Sequence, residues 1–547
     1  MHTYASKTFS EIIPDIVKKY AGNRAVGFFE EDHLTYEELG REIESMQAFL
    51  EDLGVQPGDK VAIYSQNMPN WVVVYFALQC MGVVAVPILP DFNSHELENV
   101  LNHSGAGVLF ISESLTYRLD DVEPESLDTV ISLNDFSIIS TSKKRPVYRQ
   151  NRKPSKTYSP DADKLSILIY TSGTTGGSKG VMLSQKNVIV NTFQSAGVQE
   201  INEKERFLSV LPLSHSYENT IGLLLPMFHG ACVTYLRKPP TSSVLLPALK
   251  KIRPHFMLTV PMIIEKVYRN SVLPQIESKA VTRVLHKFFL TRKLLYRIAG
   301  KKLYQTFGGR LKFFGIGGAK LDGVVERFLR EAKFPYAIGY GLTETSPLLA
   351  GSNPSNTWFQ AIGPAVEQCQ LKINDPDPVT GEGEVWAKGP NIMLGYYKNP
   401  EETKAKLTED GWFKTGDLGV FDKKGRLYHK GRLKNLIVGA NGENIYPEEI
   451  ESLINNFHHV VESIVIKKKG KLVALVHFNR EEVEERVRGM TEGITHRVDQ
   501  MLDELAAELQ QHINKRVNKY SRIQLLVVHP DPFQKTATKK IKRYLYG

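Results

Sequence analysis

The residues best suited to chemistry begin at Leu165-Ser-Ile-Leu-Ile-Tyr170. An apolar run there is followed by nine residues of only Thr, Ser, Gly and one Lys, Thr171 to Lys179. Gly173, Gly176 and Gly177 lack a Cβ, so backbone N–H groups can converge around a ligand. Thr171, Ser172, Thr174, Thr175 and Ser178 add hydroxyls, and Lys179 adds a point charge. These are the components of a polyphosphate cradle. The segment is not a Walker loop. Counted from Gly173, the second glycine position holds Ser178, and Gly180 follows Lys179 where Ser or Thr is required.

Further chemistry-bearing stretches follow in order. Phe313-Phe-Gly-Ile-Gly-Gly-Ala-Lys-Leu321 carries Gly315, Gly317, Gly318 and Ala319, but Lys320 stands where a dinucleotide fingerprint needs Gly or Ala. Ala337-Ile-Gly-Tyr-Gly-Leu-Thr-Glu-Thr-Ser-Pro347 presents Tyr340, Gly341, Thr343 and Glu344. Mg²⁺ prefers a carboxylate or two plus phosphate oxygens, and Glu344 fits that role. Thr415-Gly-Asp417 puts a carboxylate on a Gly turn, able to accept two neighbouring hydroxyls. Arg432, Lys434, Gly439, Gly442 and Glu443 lie in the run Lys430 to Glu451, and a basic tail runs from Phe533 to Arg543. Leu211-Pro-Leu-Ser-His-Ser-Tyr-Glu218 contributes His215.

The elements that must carry these groups alternate apolar runs with amphipathic stretches, the pattern of an α/β architecture. Lys60-Val-Ala-Ile-Tyr, Gly107-Val-Leu-Phe-Ile and Leu311-Lys-Phe-Phe-Gly-Ile are examples. Trp71 to Pro90 approaches a bilayer span in length. Gln79, Gly82, Pro87 and Pro90 interrupt it, so a helix over 70–81, a Gly turn and a buried Val-rich strand are expected instead. The polar, basic segment 141–163 is expected as a surface loop, and 384–432 as a compact β region. The best domain cut falls after residue 433, giving units 1–433 and 434–547.

Composition sets outer bounds. The chain has 547 residues, 42% hydrophobic and 24% charged, which excludes a mainly disordered or coiled-coil protein. Cys80, Cys232 and Cys369 have no CxxC spacing, so neither a disulfide framework nor a zinc finger is expected. The start lacks a secretory profile, and a cytoplasmic location is expected. The net charge of +9 favours anionic partners. No nucleic-acid module is recognisable.

In this order the motifs resemble those of the adenylate-forming superfamily, which contains acyl-CoA synthetases, peptide-synthetase adenylation domains and firefly-type luciferases. The first 160 residues resemble it more loosely, through Leu34-Thr-Tyr-Glu-Glu-Leu39. The resemblance implies a large, multi-subdomain N-terminal domain with a small α+β C-terminal domain on a hinge, and ATP, Mg²⁺ and CoA as cofactors. It implies that Thr171, Ser172, Gly173, Thr174, Thr175 and Lys179 hold the ATP phosphates, and that Gly317, Gly318 and Ala319 line the adenine pocket with Tyr340 and Gly341. Tyr340 would stack on adenine, Thr343 would contact the α-phosphate, and Glu344 would hold Mg²⁺. Asp417 would accept the ribose hydroxyls, and Arg432 would contact ribose or phosphate. Lys434 would be the hinge, and Gly439, Gly442 and Glu443 would border the thiol channel. The tail is similar to the family's PKTxxGKxxR ending, with Gln534 for Pro and Lys539 for Gly. That leaves the catalytic amine between Lys539 and Lys540, with the register favouring Lys540.

The element around His215 is similar to LPLxHxxE of fatty acyl-CoA synthetases and implies that His215 sits at the carboxylate end of an acyl pocket. The implied activity is AMP-forming ligation of a long-chain fatty acid to CoA. Ligation of an aryl or medium-chain acid, transfer to acyl carrier protein, and a non-catalytic acyl or nucleotide binder stay open. So do a peripheral membrane contact and a homodimer.

Overall fold

The computed structural model describes residues 7–547 apart from 144, 173–177, 439–442, 469, 488–493 and 537–539. Two eight-stranded sheets, mostly parallel in their interiors, form the larger N-terminal portion. One runs in the order Leu348–Gly351, Tyr336–Gly341, Phe313–Ile316, Phe256–Thr259, Arg206–Leu208, Cys232–Tyr235, Arg24–Phe28, Leu34–Thr35. The other runs Gly395–Tyr396, Ser178–Ser184, Leu165–Ser172, Val84–Ile88, Lys60–Tyr64, Val108–Ile111, Thr129–Ser132, Ile138–Thr141. The expected apolar runs supply interior strands because a parallel strand covered on both faces has no polar side to offer.

The near-membrane-length segment folds as expected. A helix spans Pro69–Met81, with Pro in its first turn, and Gly82 ends it at φ 70°. Gly suits that left-handed position. The strand Val84–Ile88 follows. Every residue from Trp71 to Met81 is buried, in one core with Val26 and Val233 of the first sheet and Val61 and Ile167 of the second. The helix is apolar all round because it lies between the two sheets. Its buried amide, Gln79, donates from Nε2 to the Ser166 carbonyl at 3.1 Å and accepts at its backbone carbonyl from Gln185 Nε2 at 2.8 Å. Among the described residues no helix is long and apolar enough to cross a membrane.

The basic loop is tied to the helix Tyr36–Asp52. Tyr158 Oη donates to Glu51 at 2.9 Å, the backbone N–H of Ser155 donates to the same carboxylate at 2.7 Å, and Arg152 pairs with Asp52. The β region starts earlier than expected. Its antiparallel sheet is Gln370–Asn374, Gly383–Lys388, Phe413–Phe421, Leu427–Arg432, and the first strand lies before residue 384. Leu371 and Ile373 are only partly buried, so that strand has too weak an apolar alternation to be seen in sequence.

The smaller C-terminal portion has its own core. The strands Val460–Lys468, Lys471–Phe478 and Leu525–Val528 form a sheet, with the helices Pro447–Asn455 and Ile494–Asn514 packed against it. Ile450, Ile454, Val465, Leu472, Leu505 and Leu509 are buried in a cluster of residues that all lie beyond 436.

Phe76→Ala, which empties the layer between the two large sheets, should cost about 3–5 kcal/mol. Val379→Ala at an exposed turn should stay within about 0.5 kcal/mol. Urea unfolding midpoints of the two variants read the difference.

Candidate active site

The cradle stretch is a β-hairpin. Thr171 pairs with Lys179 and Ser172 with Ser178, so the strands run further into the Thr/Ser/Gly stretch than their composition indicates. The expectation for Gly173, Thr174 and Thr175 falls outside the described residues, as does that for the side chain of Ser172. The next helix along the chain begins only at Gln185, beyond the far end of the second strand. Lys179 projects from the second strand. Its Nζ lies 2.5 Å from Glu402 Oε1 and 5.5 Å from the ring centre of Tyr396. Tyr396 in turn donates from its hydroxyl to Glu344 Oε1 at 2.9 Å. The phosphate-binding candidate and the metal-binding candidate thus share one aromatic residue.

Glu344 follows buried Thr343 in a single helical turn, Thr343–Thr345, directly after the strand Tyr336–Gly341. A side chain at Gly341 would put its Cβ 1.7 Å from the Pro347 carbonyl oxygen. Only glycine lets the chain turn back at that point. Gly317 closes the neighbouring strand end, where a Cβ would meet the Tyr217 ring at 3.2 Å, and Gly318 has φ 87°. Gly318 and Ala319 are exposed at the rim.

Asp417 is buried on the antiparallel sheet and carries the densest contacts. Its Oδ2 accepts from the Tyr340 hydroxyl at 2.8 Å, and its Oδ1 lies 2.8 Å from Arg432 Nε and 3.5 Å from His429 Nε2. Burial opposes its charge, but Arg432, His429 and Tyr340 outweigh burial and hold the carboxyl below its ordinary range. Tyr340 is itself buried, with its ring 5.9 Å from that of His429. Its hydroxyl is committed to the same carboxylate for which ribose hydroxyls would compete.

The C-terminal tail reaches this cleft. Lys540 sits in a tight turn in which the Thr536 N–H donates to the Lys540 carbonyl at 2.8 Å, closed by a bridge between Lys535 and Ile541. Two buried carboxylates pin the turn. Glu462 pairs with Lys535 and accepts from the Phe533 N–H at 2.7 Å, while Glu451 pairs with Arg543 and accepts from the Val465 N–H at 2.6 Å. Lys540 keeps contact with solvent, yet protein crowds round its ammonium. That crowding first, and Arg432 second, lower its pKa, while Asp417 and Glu344 act to raise it. Lys539 lies outside the described residues.

Lys434, expected as the hinge, also carries a perturbed charge. Burial of the group, then Arg432, Lys540 and Lys179, pull its pKa down to about 8 against the opposing pull of Asp417. Its ammonium therefore belongs to the same electrostatic cluster. Glu443 lies beside the two-stranded ladder Asn444–Ile445/Ile437–Val438, and Gly439 and Gly442 fall outside the described residues. Polar contacts hold the two portions of the chain together here. Ser452 Oγ donates to Asp322 Oδ2 at 2.6 Å, Lys320 lies 3.5 Å from Glu449, and Tyr446 Oη donates to Glu382 at 2.5 Å.

His215 completes the ring. Its Nδ1 accepts from the Tyr217 N–H at 3.2 Å, and burial, followed by the Lys540 charge, lowers its pKa to about 4. Tyr217 leads from His215 to an apolar cavity of about 40 Å³ behind the Gly-rich strand ends. Phe207, Phe256 and Phe313 form one wall, stacked at 4.7 and 5.6 Å, and Ile221 and Leu258 also line the cavity. The motifs do not reveal Tyr396, Glu402 or Glu462, which stand in remote segments where only Gly395-Tyr396-Tyr397 carries any local mark, a Gly before two aromatics. Tyr217 and Glu451 lie within the runs around His215 and Lys434, and His429 just before the second, but nothing in those runs marks their partners.

A model described as "AMP-binding enzyme" matches residues 14–397. The chain is 28% identical over 475 residues to a peroxisomal long-chain acyl-CoA synthetase 6 of Arabidopsis thaliana, spanning 80% of this chain and 67% of that protein. It is 30% identical over 488 residues to the long-chain-fatty-acid–CoA ligase FadD15 of Mycobacterium bovis, spanning 82% and 78%. Its fold is similar to that of o-succinylbenzoate-CoA synthetase of Bacillus subtilis in complex with ATP and magnesium ion, at TM-score 0.76 and 24% identity over 97% of this chain and 98% of the other. The chain belongs to the AMP-binding enzyme family. Within that family it is an AMP-forming acid–CoA ligase, an enzyme whose cofactors are ATP, Mg²⁺ and CoA.

Since the folded-state pKa of His215 lies below its unfolded value of 6.5, its neutral form stabilises the fold fully above that value. This contribution is lost as pH falls toward about 4, because the unfolded chain takes up the proton first. Replacing His215 by Gln should flatten the decline of the urea midpoint between pH 6.5 and 4. Parallel profiles for the two proteins would show that His215 is not the titrating group.

Proposed function

We propose that the chain joins a fatty acid to CoA through an acyl-adenylate, with residues 1–433 binding ATP and acid and residues 434–547 turning on Lys434. The observation that carries this reading is the convergence of Lys179, Arg432, Lys434 and Lys540 on Asp417 and Glu344. Burial first, and the neighbouring cations second, lower the pKa of two of these four groups, and a triphosphate supplies the negative charge that would compensate both. Asp417 is kept ionised to accept ribose hydroxyls. Glu344, fixed by Tyr396, offers one carboxylate to a metal ion whose other ligands are phosphate oxygens. Bound there, Mg²⁺ would neutralise phosphate charge.

In the first half-reaction the acid's carboxylate oxygen bonds to the α-phosphorus and pyrophosphate leaves. The Lys540 ammonium stabilises charge on the entering and bridging oxygens, and Thr343 orients the α-phosphate. Neutral His215 leaves the acid's carboxylate unprotonated and helps position it. In the second half-reaction the CoA thiolate bonds to the acyl carbon and AMP leaves. Lys540 must withdraw for this step, and the polar contacts of Asp322 and Glu382 are weak enough individually, about 1 kcal/mol each, to be exchanged. Glu443, with Gly442, would then border the thiol path.

The fatty-acid reading rests on the apolar walls of the cavity and on the His215 element. A second reading, a short or aromatic acid, draws on the cavity's small volume. About 40 Å³ has room for roughly three or four water-sized groups, so a long chain needs more space than this cavity holds. Cytoplasmic residence belongs to the same proposal.

Pyrophosphate release across C4 to C18 acids and benzoate separates the readings. Activity rising with chain length supports the first, and activity confined to benzoate or C4 overturns it. Lys540→Ala should lower adenylation by about three powers of ten, the worth of roughly 4 kcal/mol. It should leave thioester formation from supplied acyl-adenylate mostly intact, and equal loss of both would reject the assignment. Lys434→Pro, which restricts φ, should slow the thioester step more than adenylation. Lys434→Ala, which removes only the ammonium, should weaken ATP binding instead.

A further inference from the structure

One segment outside the cleft concentrates the charge of the whole molecule. Between Lys279 and Lys302 the chain carries eight Lys or Arg and no Asp or Glu. Those residues supply eight positive charges to a 547-residue protein whose net charge is +9. The segment comprises the helix Ala280–Leu285 and most of the helix Phe289–Thr306.

The longer helix has a buried and an outward face. Tyr296, Gly300 and Leu303 are buried against the fold, and a Cβ at Gly300 would come within 2.4 Å of the Ala332 side chain. Leu290, Leu294 and Ile298 recur at every fourth residue on the outward face and are 77%, 59% and 62% exposed. Phe288 at the helix start is 62% exposed, and Val281 and Val284 of the shorter helix continue the apolar strip. Single exposed apolar residues are ordinary, but a contiguous helical stripe is a contact surface.

Beside the stripe lies a groove of about 410 Å³. Lys293, Arg297, Arg327, Arg330 and Lys333 line it, with Glu331 as its only acidic side chain. Glu331 is already paired with Arg292 at 2.8 Å. The surface therefore joins five cations to an apolar helix face. A protein partner would have to present an apolar face bordered by a dense acidic cluster, whereas an anionic bilayer offers phosphates and acyl chains at that spacing everywhere.

We propose that the helix Phe289–Thr306 and its basic groove dock this protein on anionic phospholipid bilayers. Leu290, Leu294 and Ile298 enter the interface, and Lys293, Arg297, Arg327, Arg330 and Lys333 meet the headgroup phosphates. None of these residues belongs to the nucleotide cleft, so docking stands apart from the acid-specificity reading.

The test is sedimentation of the full chain with phosphatidylcholine vesicles, with and without phosphatidylglycerol. Binding should require phosphatidylglycerol and weaken at least tenfold at high ionic strength. It should fall by a similar factor in Lys293→Glu/Arg297→Glu and in Leu290→Ser/Leu294→Ser, with ATP–pyrophosphate exchange unchanged in both. Should either double variant misfold, Leu294→Cys carrying a polarity-sensitive dye replaces it, and its emission should shift blue on adding phosphatidylglycerol vesicles. Binding that ignores the variants, an unshifted dye, or absence of binding overturns the proposal. A dimer broken by Leu290→Ser/Leu294→Ser while vesicle binding persists also overturns it, assigning the surface to a second copy.

Discussion

An unbalanced charge organises the molecule. Lys179, Arg432, Lys434 and Lys540 face a cleft in which Asp417 and Glu344 are the principal opposing carboxylates. Burial first, and repulsion among these cations second, lower the pKa of Lys434 and Lys540. The arrangement persists because carboxylates hold its cations from behind. Glu402 takes Lys179, Asp417 takes Arg432, and the Glu451–Arg543 and Glu462–Lys535 pairs hold the turn that carries Lys540. A triphosphate relieves what these contacts only restrain.

The rest of the fold supplies rigid supports for those contacts. Two large sheets share the apolar helix Pro69–Met81, so the strand ends that carry Gly317, Tyr340 and Gly341 have a fixed floor. Gly341 is confined by the Pro347 carbonyl, which directs Thr343 and Glu344 into the cleft. The small antiparallel sheet brings Asp417 and Arg432 into register as direct cross-strand partners, so this ion pair is a consequence of strand pairing. Buried pairs of this kind contribute little net stability, but removing one partner strands a charge, which makes them positional devices.

The contact between the two portions of the chain has a different character. Its links are hydroxyl, ammonium and carboxylate groups in the pairs Ser452–Asp322, Tyr446–Glu382 and Lys320–Glu449, while the apolar clusters on either side remain separate. Polar interfaces of this kind permit relative motion of the parts they join. The basic helix Phe289–Thr306 lies in the larger portion, so a surface bound through it would leave the smaller portion unencumbered.

Residues whose chemistry is written into adjacent positions are legible in the sequence alone. The Thr/Ser/Gly stretch, Tyr340 to Glu344, Asp417 and the tail lysine each form a short word, and the helix and strand of 69–88 follow from apolar pattern and a Gly stop. The strand Gln370–Asn374 escapes such a reading because its alternation is faint. The cradle strands run further than composition suggests because hairpin pairing continues through small polar residues. Remote partners are invisible for a simple reason: Tyr396, Glu402, His429, Glu451 and Glu462 are ordinary residues until folding sets each beside a charge. Local order thus names which atoms can react. Which of them share a dielectric environment, and so what their charges are worth, depends on distances that only chain closure sets.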